Sequence, residues 1–476
     1  MLGRLNFTDL GFNKEALPQG TQERDCRSRP RHPCFNAGDE RSNEQPGLTV
    51  MHTLFLREHN RIATILNRIN NFWPDETIYS ETRRIMGAKV QHIVYNEWLP
   101  VVLGCETAAK YDLVPRKIGY FTGYDEHCDA TVTQELATAA FRFGHSLIRN
   151  TFPRLDGNYK ESADAIDLKS MFNNESFYYQ SESGHIESVL MGLLGVQSMA
   201  FDRHIASAVR NHLFQKPGGL FTGLDLPALN IQRARDHGVP PYNAYREMCG
   251  MKKARRFEDL QDIMDASSIK AMKSVYDSVN DIDLFPGLMS EKPLKGALVG
   301  PMAACIIAEQ FQRLKKCDRF YYENDNPATR FTPAQLSEIR KTTLSKLICS
   351  NSQYARRIQP NAFLMPDDLT NAPVKCSELP DIDLYEWLDR QFCVVDHRVI
   401  NLGKTKRITP CITCTCTAEG PECHSMTIDR CETLLSDYLF TEIVAVCFRI
   451  LSNHPIFSSK IHQLSISSRK HQLCSY

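Results

Sequence analysis

An arginine and a histidine lie three residues apart in the segment FRFGHS, residues 141–146. Residues at this spacing share one face of a helix, so the Arg142 guanidinium and the His145 imidazole would be neighbours. A neutral imidazole can bind a metal, an arginine can pair with a carboxylate, and Gly144 lets a bulky group approach the backbone. The segment predicts a metal or cofactor ligand at His145; a packed or surface histidine is the alternative.

A second polar cluster follows an apolar start in LPALNIQRARDHG, residues 226–238. Asn230 and Arg233 are again three residues apart and would share a helix face. Such side chains need hydrogen-bond partners if they are buried. A solvated, charged helix face is the alternative interpretation.

The third segment is CFNAGDERSNEQPGL, residues 34–48, which contains Arg41 and Glu44. A disulfide between Cys26 and Cys34 would hold this loop in place. A positioned arginine and carboxylate are one interpretation of the pair. A salt bridge within the loop is the other.

The composition indicates a folded protein with no general affinity for polyanions. The chain has 476 residues, of which 42% are hydrophobic and 24% charged, and it can bury a sizeable core. Lysine plus arginine equals aspartate plus glutamate, 56 each, so we expect no nucleic-acid partner. No stretch reaches the roughly 20 apolar residues of a membrane span, so none is expected.

Seventeen cysteines suit either disulfides in an oxidising compartment or zinc ligands in a reducing one. The first ten lack the paired spacing of zinc sites and favour disulfides. A denser cluster follows, for which a small disulfide-linked module is predicted and zinc is the alternative. Its members are Cys411, Cys414, Cys416, Cys423 and Cys431.

Helices predicted from the spacing of apolar residues would hold these segments in place. Apolar residues recur at spacings of three and four over residues 48–69 and again after Pro74. Thr332, Pro333 and Gln335 predict a capped helix start. Other helical patterns cover residues 133–148, 185–214, 257–280, 296–315 and 333–349.

Strand alternation is weak throughout, so the predicted fold class is mainly α. The predicted domains are a mainly helical domain over residues 1–395, a Cys-rich disulfide module over 396–435 and a tail of uncertain structure over 436–476.

Together the three polar segments resemble the animal haem peroxidase family, which includes myeloperoxidase and peroxidasin. TVMHTLFLREHNRIA at 49–63 and DRFYYEN at 318–324 are also similar to that family. The resemblance runs from about Cys26 to Cys376. It implies the helical animal haem peroxidase fold, here with a small Cys-rich C-terminal module.

By that resemblance, His145 would be the proximal ligand of a haem iron, and Asn230 would accept a hydrogen bond from the other ring nitrogen. Arg142 and Arg233 would hold the haem propionates. Arg41 would be catalytic, stabilising negative charge as the peroxide bond breaks.

Glu44 would correspond to the family's haem-ester carboxylate, linking the iron protoporphyrin to the chain. Gln45 stands where myeloperoxidase has a methionine, so the sulfonium link should be absent. The resemblance also implies disulfides. Cys26–Cys34, Cys249–Cys305 and Cys349–Cys376 match the family, Cys105–Cys128 would be a local extra, and Cys317 would be free.

The family's distal histidine, a neighbouring glutamine, a second ester aspartate and the calcium ligands have no counterpart in the sequence. We therefore expect an amino-terminally truncated family member whose calcium ligands are absent. General acid–base help is typically worth about 10²–10⁴ in rate. The expectation is that full activity belongs to a longer form.

The resemblance implies a secreted, extracellular enzyme, although no signal peptide is present in the sequence. It would reduce hydrogen peroxide and oxidise a phenol, a protein tyrosine or a halide, in oxidative-stress response or matrix cross-linking. A peroxide-generating oxidase and matrix proteins would be its partners. The alternatives are a catalytically inactive extracellular matrix or adhesion module that keeps the fold, and a zinc-dependent regulator that uses the late cysteines.

Overall fold

The computed structural model describes most of the chain up to residue 425 and divides it after Asp383 into two compact units. The described residues are 2–11, 15–20, 26–180, 184–216, 218–219, 222–389, 391–409, 412–418 and 420–425. The predicted tail, 436–476, lies outside them, as do Cys411 and Cys431. The boundary after residue 395 stays a prediction.

The first unit is mainly α-helical, which confirms the predicted fold class. Its α-helices are α1 (Pro46–Ile69), α2 (Asp75–Ile93), α3 (Leu99–Leu103), α4 (Cys105–Lys110), α5 (Gln134–Thr138), α6 (His185–Gly195), α7 (Ser207–Arg210), α8 (Leu226–Asp236), α9 (Tyr242–Met248), α10 (Ala266–Lys273), α11 (Leu284–Met289), α12 (Pro301–Cys317), α13 (Pro333–Ile339) and α14 (Leu344–Asn351).

Tighter and wider helical turns connect these helices. The 3₁₀ helices of this unit are Glu40–Asn43, Ala140–Leu147, Leu168–Ser170, Glu175–Tyr179 and Phe257–Asp262, and a π-helical turn, Val94–Trp98, joins α2 to α3. Three antiparallel strand pairs complete the unit: β1 (Thr8–Asp9) with β2 (Glu15–Ala16), β3 (Thr151–Leu155) with β4 (Glu161–Asp167), and β5 (Arg357–Ile358) with β6 (Val374–Lys375).

The two long periodic runs are confirmed as α1 and α2, and Thr332 and Gln335 form the predicted capping box of α13. The pattern at 133–148 is shorter in α-helix than predicted. Ala139 leaves the α region with φ −133° and ψ −70°, so α5 ends there and a 3₁₀ helix follows.

One hydrophobic core of the described part of this unit lies between α1, α6 and the β3–β4 pair. Leu54 of α1 and Val189 of α6 are among its fully buried side chains, each stabilising the fold by about 1.5–3 kcal/mol. Gly192 lets α6 lie directly on β3, because a Cβ there would meet the Pro153 carbonyl oxygen at 1.9 Å. A larger residue at this position would force helix and strand apart.

Four disulfides lie within the first unit. Cys26–Cys34, Cys249–Cys305 and Cys349–Cys376 form as expected. The expected Cys105–Cys128 pair and the expected free thiol at Cys317 are both wrong, because Cys128 bonds to Cys317.

The reason for that pairing is local backbone geometry. The Asp125 N–H donates to the Lys316 carbonyl oxygen at 2.9 Å, which places the loop before Cys128 against the end of α12. Proximity in sequence therefore misidentifies the partner of Cys128.

The second unit begins with a 3₁₀ turn, Leu384–Trp387, and continues as short antiparallel strands around a cysteine-rich core. The strands are β7 (Phe392–Val395), β8 (Arg398–Asn401), β9 (Thr405–Thr409), β10 (Ile412–Thr417) and β11 (Gly420–Ser425). Disulfides Cys393–Cys416 and Cys414–Cys423 connect them. Because these four sulfurs are bonded in two pairs, the zinc interpretation is wrong for these cysteines.

Across the part of the chain that the structure describes, no helix combines the length and the apolar character that crossing a membrane requires.

Candidate functional site

The 3₁₀ helix Ala140–Leu147 carries Arg142 and His145 and packs against α5, α8, α11 and α12. A 3₁₀ helix has three residues per turn, so side chains three apart lie directly above one another. Phe143 and Ser146 are buried and anchor the helix, while Arg142 and His145 are half-buried. Arg142 and His145 are therefore neighbours on one helix face, as predicted, although the helix is a 3₁₀ helix and not an α-helix.

Helix α8 supplies the second half of the site. Asp225 caps its start by accepting a hydrogen bond from the Ala228 N–H at 3.0 Å. Asn230 is completely buried one turn inside the helix, and Arg233 follows a turn later on an exposed stretch. The cap fixes where α8 begins and so directs Asn230 inward.

Asn230 joins the two helices through both ends of its side-chain amide. Its nitrogen Nδ2 lies 2.9 Å from Nδ1 of His145, and its oxygen accepts a hydrogen bond from Nη1 of Arg142 at 2.9 Å. Arg142 also donates from Nε to the Ala137 carbonyl oxygen at 3.0 Å. Three predicted site residues thus form one hydrogen-bonded group.

The direction of the His145–Asn230 bond depends on the histidine tautomer. With the amide nitrogen facing Nδ1, the proton of a neutral ring belongs on Nε2. Metal binding through Nε2 needs the proton on Nδ1, and then the amide oxygen must face the ring. That Asn230 accepts from Nδ1 stays a prediction. A half-turn of the amide would satisfy it, but the half-turn would also face Nδ2 toward the donor Nη1 of Arg142 and break that hydrogen bond.

His145 is suited to be a metal ligand. Burial, followed by the nearby Arg142 charge, lowers the pKa of His145 to about 4, so the imidazole is neutral at neutral pH. Nε2 has no hydrogen-bond partner among the described residues. A Cβ placed on Gly144 would meet no atom within 4 Å, so the adjacent backbone borders open space.

Arg142 and Arg233 concentrate positive charge beside this histidine. Burial and the Arg233 charge lower the pKa of Arg142, which shows that the two guanidinium groups repel each other. Within the described ranges, neither group pairs with a carboxylate. An anionic ligand would relieve the repulsion, and a ligand with two carboxylates would fit both arginines.

Arg41 lies on a separate element, the 3₁₀ helix Glu40–Asn43. Its guanidinium donates two hydrogen bonds to Asp39, at 3.0 and 2.8 Å, and its side chain is 75% exposed. Arg41 therefore forms a salt bridge within its loop, as the alternative interpretation predicted, but its partner is Asp39 and not Glu44. Sequence reasoning missed Asp39, whose position before a helical turn was the available signal, because it caps that turn.

Glu44 follows Arg41 and is half-buried. Its N–H donates to the Arg41 carbonyl oxygen at 2.9 Å, and burial raises the pKa of its carboxyl group. Within the part of the chain described here, no hydrogen bond or ion pair joins Arg41 or Glu44 to the His145 group. The structure thus forms two clusters, one around His145 and one around Arg41.

The sequence model of the animal haem peroxidase family matches residues 2–363, which include both clusters. The chain belongs to the animal haem peroxidase family. Among its relatives is a human peroxidasin homolog, 41% identical over 361 residues, which cover 75% of this chain and 23% of that protein. Heme peroxidase 2 of Caenorhabditis elegans is 38% identical over 390 residues, or 81% of this chain and 53% of that protein.

A solved structure supports the same family fold. Peroxidase A of Dictyostelium discoideum superposes with a TM-score of 0.64 at 31% identity, covering 76% of this chain and 66% of that one. The chain thus spans about a quarter of the human relative's length and about half of the worm relative's. The residues around His145 fit the family's haem: among the residues that the structure describes, Nε2 of the neutral imidazole has no hydrogen-bond partner, and the two arginines beside it have no carboxylate partner.

Proposed function

We propose that this chain acts as a haem peroxidase, which reduces hydrogen peroxide and oxidises a phenol, a protein tyrosine or a halide. The observation that carries the proposal is the neutral His145 ring, held by buried Asn230 beside two mutually repelling arginines. Membership of the family and the likeness to Peroxidase A favour the same function.

Each residue of the His145 cluster has a role in holding the cofactor. His145 would bind the iron through Nε2, and Asn230 would orient the ring through Nδ1. Arg142 and Arg233 would pair with the propionates. When bound, the haem supplies the electrons that reduce peroxide and recovers them from the donor.

Arg41 would stabilise negative charge on the peroxide as its O–O bond breaks. Its present bond to Asp39 is an exposed ion pair that solvent screens, so a bound anion can compete with it. Glu44 would form the ester link to the haem. Gln45 cannot form a sulfonium link, and its side chain instead accepts from the Gly47 N–H at 2.6 Å at the start of α1.

The setting we propose is extracellular. Six disulfides among the described residues suit an oxidising compartment. Two of them involve the module that we assign to residues 396–435. Cys414–Cys423 lies within this module, and Cys393–Cys416 joins it to β7. Residues 1–395 would form the peroxidase domain. A peroxide-generating oxidase and matrix proteins would be the partners, in oxidative-stress response or matrix cross-linking.

Haem uptake tests the proposal directly. The full chain, produced in haem-fed cells, should show a Soret band and consume hydrogen peroxide with a phenol donor. His145→Ala should remove the Soret band, because it deletes the side chain proposed to bind the iron. The matched control His127→Ala alters an exposed histidine and should leave the spectrum unchanged. A normal haem spectrum in His145→Ala protein would overturn the assignment.

A further inference from the structure

A continuous row of aromatic rings leads away from the helix that carries His145. It starts at Phe143, and the centroids of successive rings lie 5.0–6.2 Å apart. Aromatic pairs at this separation are in direct contact. The rings that follow Phe143 are, in order, Trp98, Phe311, Tyr95, Tyr321, Tyr322 and His92.

The π-helical turn Val94–Trp98 places two members of this row. Tyr95 and Trp98 both contact Phe311, at centroid distances of 5.8 and 5.9 Å, so Phe311 bridges them. Single π-helical turns are rare and occur frequently at functional sites. Trp98 and the three tyrosines are the oxidisable side chains of the row.

The row ends at a hydrogen-bonded tyrosine–histidine pair. Oη of Tyr322 lies 2.7 Å from Nδ1 of His92, and each residue is 3% exposed. His92 also interacts with the Arg340 backbone, and that hydrogen bond acts to raise the pKa of the ring, although burial lowers it more.

The pair is prepared for transfer of a proton from oxygen to nitrogen. Burial and the Arg340 charge lower the pKa of His92 to about 4, so its ring is neutral and has a lone pair. Burial, with the nearby Glu323 charge, raises the pKa of Tyr322, so the phenol keeps its proton until the ring is oxidised. A phenol that loses an electron becomes a strong acid. Of the two proton acceptors near its hydroxyl, the Glu323 carboxylate and His92, Nδ1 of His92 forms the 2.7 Å hydrogen bond.

We propose that Tyr322 is a redox-active residue, which passes an electron along the aromatic row toward the haem and its proton to His92. This inference rests on the proposed function, because the oxidant is the haem after its reaction with hydrogen peroxide. It adds to that function a second place, remote from His145, where a donor is oxidised.

The electrons and protons of the step balance. One electron leaves the Tyr322 ring and reduces the oxidised haem by one equivalent. The Oη–H bond breaks and an N–H bond forms at Nδ1 of His92, leaving a neutral phenoxyl radical and an imidazolium. A phenol then returns one electron to Tyr322, the proton moves back from His92, and the phenol's own proton enters the solvent.

The end of the row lies beside a surface cleft. Tyr321 and Tyr322 lie in the wall of a surface cleft of about 1390 Å³, next to Phe320, whose side chain is 60% exposed. A phenol in this cleft would lie against the wall that Tyr322 helps to form, and His145 is not among the residues that line the cleft. Donors too large to reach the haem could be oxidised there.

Electron paramagnetic resonance of rapidly frozen, haem-loaded protein tests the proposal. One equivalent of hydrogen peroxide should produce a radical signal that narrows when the protein contains ring-deuterated tyrosine. Tyr322→Phe keeps the ring and should lose this tyrosyl signal. The control Tyr276→Phe removes a half-buried hydroxyl bonded to Asp283 outside the row and should keep it. An unchanged tyrosyl signal in Tyr322→Phe overturns the proposal.

The variant His92→Gln distinguishes a role of His92 in accepting the proton from a role in packing alone. Loss of a general base typically costs about 10²–10⁴ in rate, so the tyrosyl signal should form at least about 10²-fold more slowly. Formation at the wild-type rate in folded His92→Gln protein contradicts the role of His92.

A measurement on the unaltered chain covers the case in which a variant does not fold. A nitroso spin trap added with peroxide should leave its adduct on the peptide that contains Tyr322. Adducts elsewhere but not there, or no protein radical despite a normal Soret band and peroxide consumption, overturn the inference. Absence of the Soret band itself overturns the proposed function instead.

Discussion

The side-chain amide of Asn230 lies 2.9 Å from Nδ1 of His145 and is completely buried. Asn230→Ala would deprive both this nitrogen and Nη1 of Arg142 of their partner. Loss of such a group behind a metal-binding histidine typically costs about 10–100-fold in affinity. We therefore expect Asn230→Ala to weaken haem binding by that factor, measured by titrating haem and following the Soret band.

The control for this variant is Asn158→Ala, which alters an exposed asparagine in the turn between β3 and β4. It should bind haem as the unaltered chain does. Equal affinities for Asn230→Ala and Asn158→Ala would show that Asn230 does not support the ligand.

Arg142 and Arg233 should recognise carboxylates rather than the apolar ring of the cofactor. A charge-assisted hydrogen bond contributes about 1.5–3 kcal/mol, so Arg233→Gln should weaken haem binding by roughly 10-fold or more. Haem dimethyl ester has no free carboxylates and should bind the variant and the unaltered chain equally. A loss of affinity that is the same for both ligands would contradict the predicted contact.

Much of the fold is readable from local pattern. The long apolar periodicities locate α1 and α2, and the Thr332–Gln335 signal locates the start of α13. The 3₁₀ helix at His145 was not distinguishable from an α-helix, because three and 3.6 residues per turn differ little over eight residues. Arg142 and His145 share a face in either type of helix, because their spacing of three residues is about one turn in both.

Contacts between residues that are far apart in the sequence could not be predicted from local sequence patterns. Asn230 is 85 residues from His145, and only the family resemblance pointed to their contact. Tyr322 and His92 are 230 residues apart, and although Tyr322 lies in the segment DRFYYEN, no sequence feature pointed to its contact with His92. Since tertiary packing alone brings such pairs together, spacing and composition carry no signal for them.

The buried carboxyl group of Glu175 should make stability depend on pH. Its Oε1 accepts from Thr49 Oγ1 at 2.8 Å, while Oε2 has no hydrogen-bond partner among the described residues. Burial raises the pKa of Glu175 from 4.5 to about 8. Between these values the folded protein holds a proton that the unfolded chain releases, so this contribution is complete below pH 4.5 and is lost as pH rises to about 8.

Glu175→Gln removes that titration. Urea unfolding at pH 5 and pH 8 should show the unaltered chain losing stability relative to the variant, by up to about 1.4 kcal/mol per pH unit. Glu161→Gln, at an exposed position of β4, should follow the unaltered chain. Parallel pH profiles for Glu175→Gln and the unaltered chain would mean that Glu175 does not hold the proton.

The disulfide between Cys128 and Cys317 should stabilise the first unit more than the one between Cys26 and Cys34. The two bridges span 189 and 8 residues. In the chain-entropy account, closing loops of these sizes is worth about 5 and about 2.5 kcal/mol respectively. Replacing both cysteines of a pair by alanine should therefore lower the free energy of unfolding in urea more for Cys128 and Cys317.

Peptide mapping without reduction provides an independent check, because it identifies the bonded cysteines directly. It should recover the peptides of Cys128 and Cys317 joined to each other. A Cys105–Cys128 bridge would close a loop of only about two dozen residues, for which the same account gives roughly 3.5 kcal/mol. If that bridge were recovered, and if the two alanine pairs lowered the free energy of unfolding equally, Cys317 at the end of α12 would not be the partner of Cys128.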